Sequence, residues 1–357
     1  MKDVFAKRFR TARLKSGLSL QALAEITDDT ISKQAISKYE HGKAMPDSKK
    51  LINLAKALNV KLEYFFRPVK MEVELSEPAY RKRSAMSKKK LAMIKENVRD
   101  MIERYLEVEN IIGDIKSVKL PDDKIRRVTS FEDVEHLAEN IRELWNLGQD
   151  PIESIVNVLE DNLFKVALLD SDDNFDGLSC WGNGVIPIII SRNNCSGDRQ
   201  RSNLAHELGH LLMEVSEGFD EEKAAYRFSA SFLVPKDVAI RELGNKRKNL
   251  NWEELLILKQ KYGMSVQQWV YRAKDLKIIN DSHFRSWCIR FNKLGRKKEL
   301  GNPIEREIPL RMRKLVFQGI AEKIISPPKA AELLDCNLNE IRKSMLGKHH
   351  IINICYF

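Results

Sequence analysis

The sequence predicts a mainly α-helical, multidomain protein: a compact five-helix unit, then an α+β unit with a small sheet ahead of a histidine-bearing helix, then a helical C-terminal region. Three observations lead there. Apolar residues recur at helical spacing in short blocks from Phe5 to Phe66. Two short β-rich runs follow, at 165–170 and 185–191. The 357 residues exceed what one ordinary core holds. With 43% hydrophobic and 31% charged residues and no apolar run long enough to span a bilayer, membrane insertion is not expected.

The helical blocks of the first unit are Val4–Lys15, Leu20–Ile26, Lys33–Tyr39, Ser48–Leu58 and a last turn near Leu62–Phe66. Ser19 and Ser32 are placed to cap the second and third, Gly42 lets the chain leave the third, and Pro46-Asp47-Ser48 starts the fourth. Residues 67–120 read as a linker with the basic clusters Arg81-Lys82-Arg83 and Lys88-Lys89-Lys90, then a connecting helix around Leu91–Val108. Helical patterns near Val134–Leu147 and Pro151–Leu163 precede the β-rich runs, which the turn-like stretch Asp172-Asp173-Asn174-Phe175-Asp176-Gly177 separates. Arg199–Val215 and Glu221–Leu233 read as helices, the second stopped by Pro235, and Asn251–Leu276 is helical again. The tail holds Leu315–Lys323, Pro327–Leu334 and Leu338–Met345. The expected division is 1–67, 68–120, 121–282 and 283–357.

Charge is unevenly placed. Residues 1–104 hold 24 Lys and Arg against 13 Asp and Glu, whereas residues 105–357 hold 37 against 38. A basic first third beside a neutral remainder suits a phosphate-contacting module joined to a different kind of domain. The five cysteines, Cys180, Cys195, Cys288, Cys336 and Cys355, are odd in number, scattered and without a C-x-x-C pair, which fits reduced structural thiols. Met1 to Arg8 enters a charged amphipathic pattern without a signal-peptide stretch, so a cytoplasmic location is expected.

Leu20 to Glu25 and Ser32 to Gly42 have the chemistry of a helix-turn-helix, with Ala24 and Ile36 where the two helices would meet. The second helix offers Lys33, Gln34, Ser37 and Lys38 near its start, where side chains reach base edges and phosphates. Gln34 suits bidentate pairing with adenine, and Lys33 and Lys38 suit phosphate or guanine. Over Val4–Phe66 this resembles the Xre/Cro/C1-type repressor domain, whose recognition helix and exit Gln34-Ala35-Ile36-Ser37-Lys38-Tyr39-Glu40-His41-Gly42 match. The stretch Thr27-Asp28-Asp29-Thr30 is longer and more acidic than that family's usual turn. The resemblance implies a lambda-repressor-like fold, a double-stranded DNA operator and a homodimer on it.

His206-Glu207-Leu208-Gly209-His210 puts two imidazoles at i and i+4 on one helix face, where both can bind one Zn²⁺. Glu207 beside the open metal position is the candidate general base. Leu204, Leu208, Leu211 and Leu212 give that helix its apolar face. A third protein ligand is required, and the carboxylates at the start of the next helix are available. Together with Asp176-Gly177-Leu178-Ser179, Ile186 to Ile190 and Phe228 to Pro235, the motif resembles the ImmA/IrrE (M78) metallopeptidase family over residues 150–280, a zincin-like domain. The family's register, counted back from Pro235, implies Glu222 as the third zinc ligand, with Glu221 the competitor. Small Ala225 and Ser229 would let this helix approach the metal helix. Tyr226 stands where the family often has Asn or Asp, and its hydroxyl is a candidate partner for His206 or His210.

Residues 325–342 read as helix, turn, helix, first as a docking cap and otherwise as a second small winged or helix-turn-helix-like element. The functional expectation is a DNA-binding transcriptional regulator with a zinc-dependent endopeptidase-like domain, controlling a prophage, stress or toxin–antitoxin operon. Its protein partner would be a substrate, a repressor or a toxin. The alternative is a non-catalytic antitoxin or sensor whose zincin-like domain binds a toxin or signal without cleaving peptide bonds.

Overall fold

The computed structural model describes residues 1–27, 30–77, 87–171, 175–295 and 300–347. Asp28-Asp29, the cluster Arg81-Lys82-Arg83, Asp172-Asp173-Asn174, Cys355 and the pair His349-His350 lie outside the described residues. The chain forms two compact units. The described parts of Met1–Leu75, Ala85–Ile115 and Leu315–Ile352 make one, and those of Ser76–Ser84 and Lys116–Lys314 the other. No described helix is long and apolar enough to cross a membrane.

In the first unit, α1 (Lys2–Lys15), α2 (Leu20–Ile26), α3 (Lys33–Glu40) and α4 (Ser48–Ala57) precede a 3-10 turn at Leu62–Phe66 and the long helix α5 (Lys88–Ile112). The caps anticipated in the sequence are made. Ser19 accepts from Ala22 N–H, Ser32 from Ala35 N–H and Asp47 from Lys50 N–H, each satisfying an otherwise orphaned helix-start donor. Gly42 takes φ +67°, a left-handed conformation that a β-carbon disfavours, and so turns the chain away from α3. Phe5, Phe9, Leu23, Ile36, Leu54 and Phe65 form the core.

Helix α5 is longer than its periodicity suggested because both ends are capped, by Ser87 at the start and by Gly113 at φ +76° at the end. It is tied to the five-helix core through buried Asp100. That carboxylate meets Lys15 Nζ at 2.8 Å, Arg67 Nη2 at 2.6 Å, Arg8 Nη1 at 3.4 Å and Arg104 Nε at 3.6 Å, and accepts from the Tyr64 hydroxyl at 3.2 Å. Burial alone would raise the Asp100 pKa, but the surrounding cations hold it far below the usual carboxylate range.

The second unit runs α6 (Asp123–Arg126), β1 (Arg127–Val128), α7 (Phe131–Leu144), α8 (Ile155–Asp161), β2 (Lys165–Leu169), β3 (Gly177–Gly182), β4 (Ile186–Arg192), α9 (Gly197–Leu212) and β5 (Glu214–Val215). Then come α10 (Glu221–Leu233), α11 (Lys236–Leu243), α12 (Trp252–Tyr262), α13 (Val266–Asp275) and α14 (Asp281–Leu294). The main sheet has the order β2-β4-β3, parallel between β2 and β4 and antiparallel between β4 and β3. β1 and β5 pair separately.

Two features depart from the sequence pattern. Strand β3, Gly-Leu-Ser-Cys-Trp-Gly, has glycines at both ends and no alternation, so only pairing with β4 makes it a strand. The helical stretch 251–276 is broken by Gly263 at φ +64°, after which Ser265 caps α13.

The chain ends in α15 (Arg311–Ala321), α16 (Pro327–Leu333) and α17 (Leu338–Met345). Residues 283–295 and 300–314 group with the α+β unit, and 315–347 group with the N-terminal helices. Glu307 explains the first association, since Arg201 holds its carboxylate and Gln200 accepts its N–H at 2.8 Å. Arg104 of α5 explains the second by donating to Leu333 O at 2.8 Å.

Candidate metal centre and nucleic-acid interface

Helix α9 buries Leu204, Ala205, Leu208, Leu211 and Leu212 in the core of the α+β unit. That stripe fixes its rotation and turns His206 and His210, one turn apart, toward α10. Close approach of the two helices needs a small residue at 209: a β-carbon there would lie 3.1 Å from the Phe228 ring. On α10, Ala225 and Ser229 are fully buried, and the Ser229 hydroxyl donates to Ser202 O at 3.0 Å.

This packing brings the start of α10 over the two imidazoles. His206 Nε2 and His210 Nε2 stand 3.1 Å apart, and Glu222 oxygens lie 3.1 Å from His210 Nε2 and 3.7 Å from His206 Nε2. One ligand atom from each of His206, His210 and Glu222 falls within 4.8 Å of the others. Glu221 lies on the other side of His210, with Oε1 at 3.0 Å from Nδ1. In a neutral His210, the Nδ1 hydrogen given to that carboxylate would leave the lone pair on Nε2, facing His206 and Glu222. Two imidazole nitrogens and a carboxylate converging on one point are a donor set that fits a divalent transition-metal ion.

Burial and the neighbouring His210 push the His206 pKa down to about 4. Burial acts the same way on His210, but hydrogen bonds to Glu221 and Glu222 overcome it and raise that pKa to about 9. Tyr226 is one helical turn beyond Glu222. Its ring centroid is 4.5 Å from that of His206, and the residue remains 62% exposed at the edge of the cluster.

Glu207 points the other way, into the sheet. The Ser179 hydroxyl on β3 donates to its Oε2 at 2.8 Å, and burial raises its pKa to about 7. Gly177 makes room for it: a β-carbon there would stand 2.8 Å from Glu207 Cγ and Oε1. Ser179, Gly177 and the contact of Glu221 with His210 were not assigned from the sequence. The stretch 176–179 signalled only a family likeness, because a strand 28 residues before Glu207 has no periodic relation to it.

The other predicted residues gather on α3. Ile36 and Tyr39 face the core, whereas Lys33, Gln34 and Lys38 are exposed and Ser37 is half-buried. Ser37 O meets His41 Nδ1 at 2.7 Å, fixing the helix exit. Ala24 and Ile36 are both buried where α2 and α3 pack.

Fold and site together define a helix-turn-helix DNA-binding regulator with a peptidase-like α+β domain. A helix-turn-helix family model matches residues 9–65, and a model of the IrrE N-terminal-like domain, the M78 peptidases, matches residues 164–274. The chain belongs to the Xre-type helix-turn-helix regulators and carries an M78 peptidase-family domain. It is 32% identical over 74 residues to the SPbeta prophage-derived uncharacterized HTH-type transcriptional regulator YonR of Bacillus subtilis (strain 168), a match covering 21% of this chain and 67% of that protein. Membership of a metallopeptidase family and the His-His-Glu group agree in implying a metal.

Proposed function

We propose that the chain reads an operator through α3 and that its α+β domain is a zinc-dependent endopeptidase acting on a protein of the same regulatory circuit. The observation that carries the enzymatic part is the convergence of His206, His210 and Glu222 on one point. In this reading His206, His210 and Glu222 hold zinc, which when bound supplies a Lewis acid for a peptide carbonyl and lowers the pKa of water. Glu207 takes a proton from the attacking water at its carboxylate and delivers it to the departing amine. Ser179 orients that carboxylate, and Glu221 fixes the His210 tautomer.

On the DNA side, Gln34 and Ser37 read base edges while Lys33 and Lys38 hold phosphate. A single such helix reads few base pairs, so the protein acts as a homodimer on a palindrome in the cytoplasm. The prophage origin of the relative supports a prophage operon, ahead of stress or toxin–antitoxin operons. DNA reading is assigned to residues 1–67 and peptide chemistry to 121–282.

A second reading, a non-catalytic antitoxin or sensor that binds a toxin or signal, is favoured by the burial of Glu207, which is only 6% exposed. One experiment separates the two. Zinc-loaded wild type should hydrolyse unfolded casein while Glu207→Gln, with its metal retained, should not. Equal absence of hydrolysis from both proteins, each carrying one equivalent of zinc, would select the second reading.

A further inference from the structure

The C-terminal helices α16 and α17 repeat the dimensions of α2 and α3. Both first helices have 7 residues and begin after a capping serine, Ser19 or Ser326. Both second helices have 8 residues. The connection between α16 and α17 is two residues shorter than that between α2 and α3. Each first helix buries adjacent residues, Leu23-Ala24 or Ala330-Ala331, and each second helix buries an isoleucine, Ile36 or Ile341.

Counting from that isoleucine aligns the exposed faces. Two positions before it stand Gln34 and Asn339, one after it Ser37 and Arg342, two after it Lys38 and Lys343. Asn339, Arg342 and Lys343 are exposed. Asparagine has the same bidentate reach to adenine as glutamine, and arginine and lysine suit guanine or phosphate.

The local charges favour an anionic partner. Glu332 is paired with Lys329 at 2.6 Å, and Glu340 accepts the Asn337 N–H at 3.1 Å as the helix cap. Asp335 lies 3.7 Å from Arg104. Arg342 and Lys343 form no ion pair among the described residues.

The docking contacts fall on α16 and the turn. Arg104 donates to Leu333 O, Lys61 donates to Cys336 O at 2.6 Å, and Lys329 reaches Glu107 at 2.8 Å. The α16–α17 turn is therefore fixed to the N-terminal unit while α17 buries only Ile341.

We propose that α16 and α17 form a second helix-turn-helix, which contacts duplex DNA through Asn339, Arg342 and Lys343. It sits in the same compact unit as α3, so it adds contacts beyond those of the first motif.

The test uses the full chain on a 40-base-pair random-sequence duplex across a salt series. Arg342→Ala/Lys343→Ala should flatten the dependence of log affinity on log salt by about two ions, with an unchanged melting curve. In selection from a random duplex pool, Asn339→Ala should erase the preference at one outer position of the selected site. If the double variant keeps the wild-type slope while Lys38→Ala loses about one ion, the proposal is overturned. It is also overturned if the double variant changes only the oligomeric state in light scattering, which would make the face that ends at exposed Met345 and Leu346 a protein interface.

Discussion

At the scale of single residues, the neighbouring carboxylates Glu221 and Glu222 receive different work from the same helix turn. Glu222 faces both imidazole Nε2 atoms, whereas Glu221 reaches His210 Nδ1 from the side and is half-exposed. Removing a partner of the second kind typically costs about 10–100-fold in metal affinity. Glu222→Ala should therefore lower zinc affinity further than Glu221→Ala, measured by competition with a chromophoric chelator. Equal losses would show that both carboxylates serve the metal alike. Gly177→Ala gives a second residue-scale expectation. The added methyl has to displace the Glu207 side chain, so casein hydrolysis should fall while zinc content stays at wild-type level. Loss of zinc in this variant would instead tie Gly177 to the framework of α9.

At the scale of elements, the junction of α5 with the N-terminal helices rests on Asp100. Asp100→Asn leaves Arg8, Lys15, Arg67 and Arg104 around a neutral amide, and breaking such a buried pair costs about 3–5 kcal/mol. The folded-state pKa of Asp100 is depressed, so its contribution is fully present above the unfolded value of about 3.9 and is lost as pH falls below it. Melting curves of wild type and variant should differ by a constant gap above about pH 5 and converge in stronger acid. A gap that persists in acid would assign the effect to packing.

The elements also mark what the sequence makes legible. Helices α1 to α4 were readable because each carries its own cap and apolar stripe, and the His206–His210 pair because a helix fixes i and i+4 locally. The sequence left Glu221 and Glu222 open, with Glu222 implied only by the family's register, since a single turn of helix does not separate 221 from 222 until α10 is packed on α9. Strand β3 and the Ser179–Glu207 contact are products of pairing with β4, which leaves no local period. The association of α16 with α5 is set by Arg104 and Lys329 meeting partners more than 200 residues away in sequence, beyond the reach of any window.

At the scale of the whole molecule, one chain joins a basic helix-turn-helix unit to a neutral peptidase-family domain that carries the His206, His210 and Glu222 cluster. The charge map puts the cationic excess before residue 105 and the His206–His210 pair about a hundred residues beyond it, so the two proposed activities should be separable by mutation. Gln34→Ala should cost about 1–3 kcal/mol on the selected operator and little on random DNA, because base readout is lost while phosphate contacts remain. Lys38→Ala should weaken both. The most direct measurement is a gel-shift salt series on the full-length protein, comparing wild type, Lys38→Ala and His206→Ala on one operator duplex. The account predicts salt-sensitive binding by wild type, a slope flatter by about one ion for Lys38→Ala, and wild-type binding by zinc-free His206→Ala. Absence of DNA binding by wild type even at low salt would contradict it.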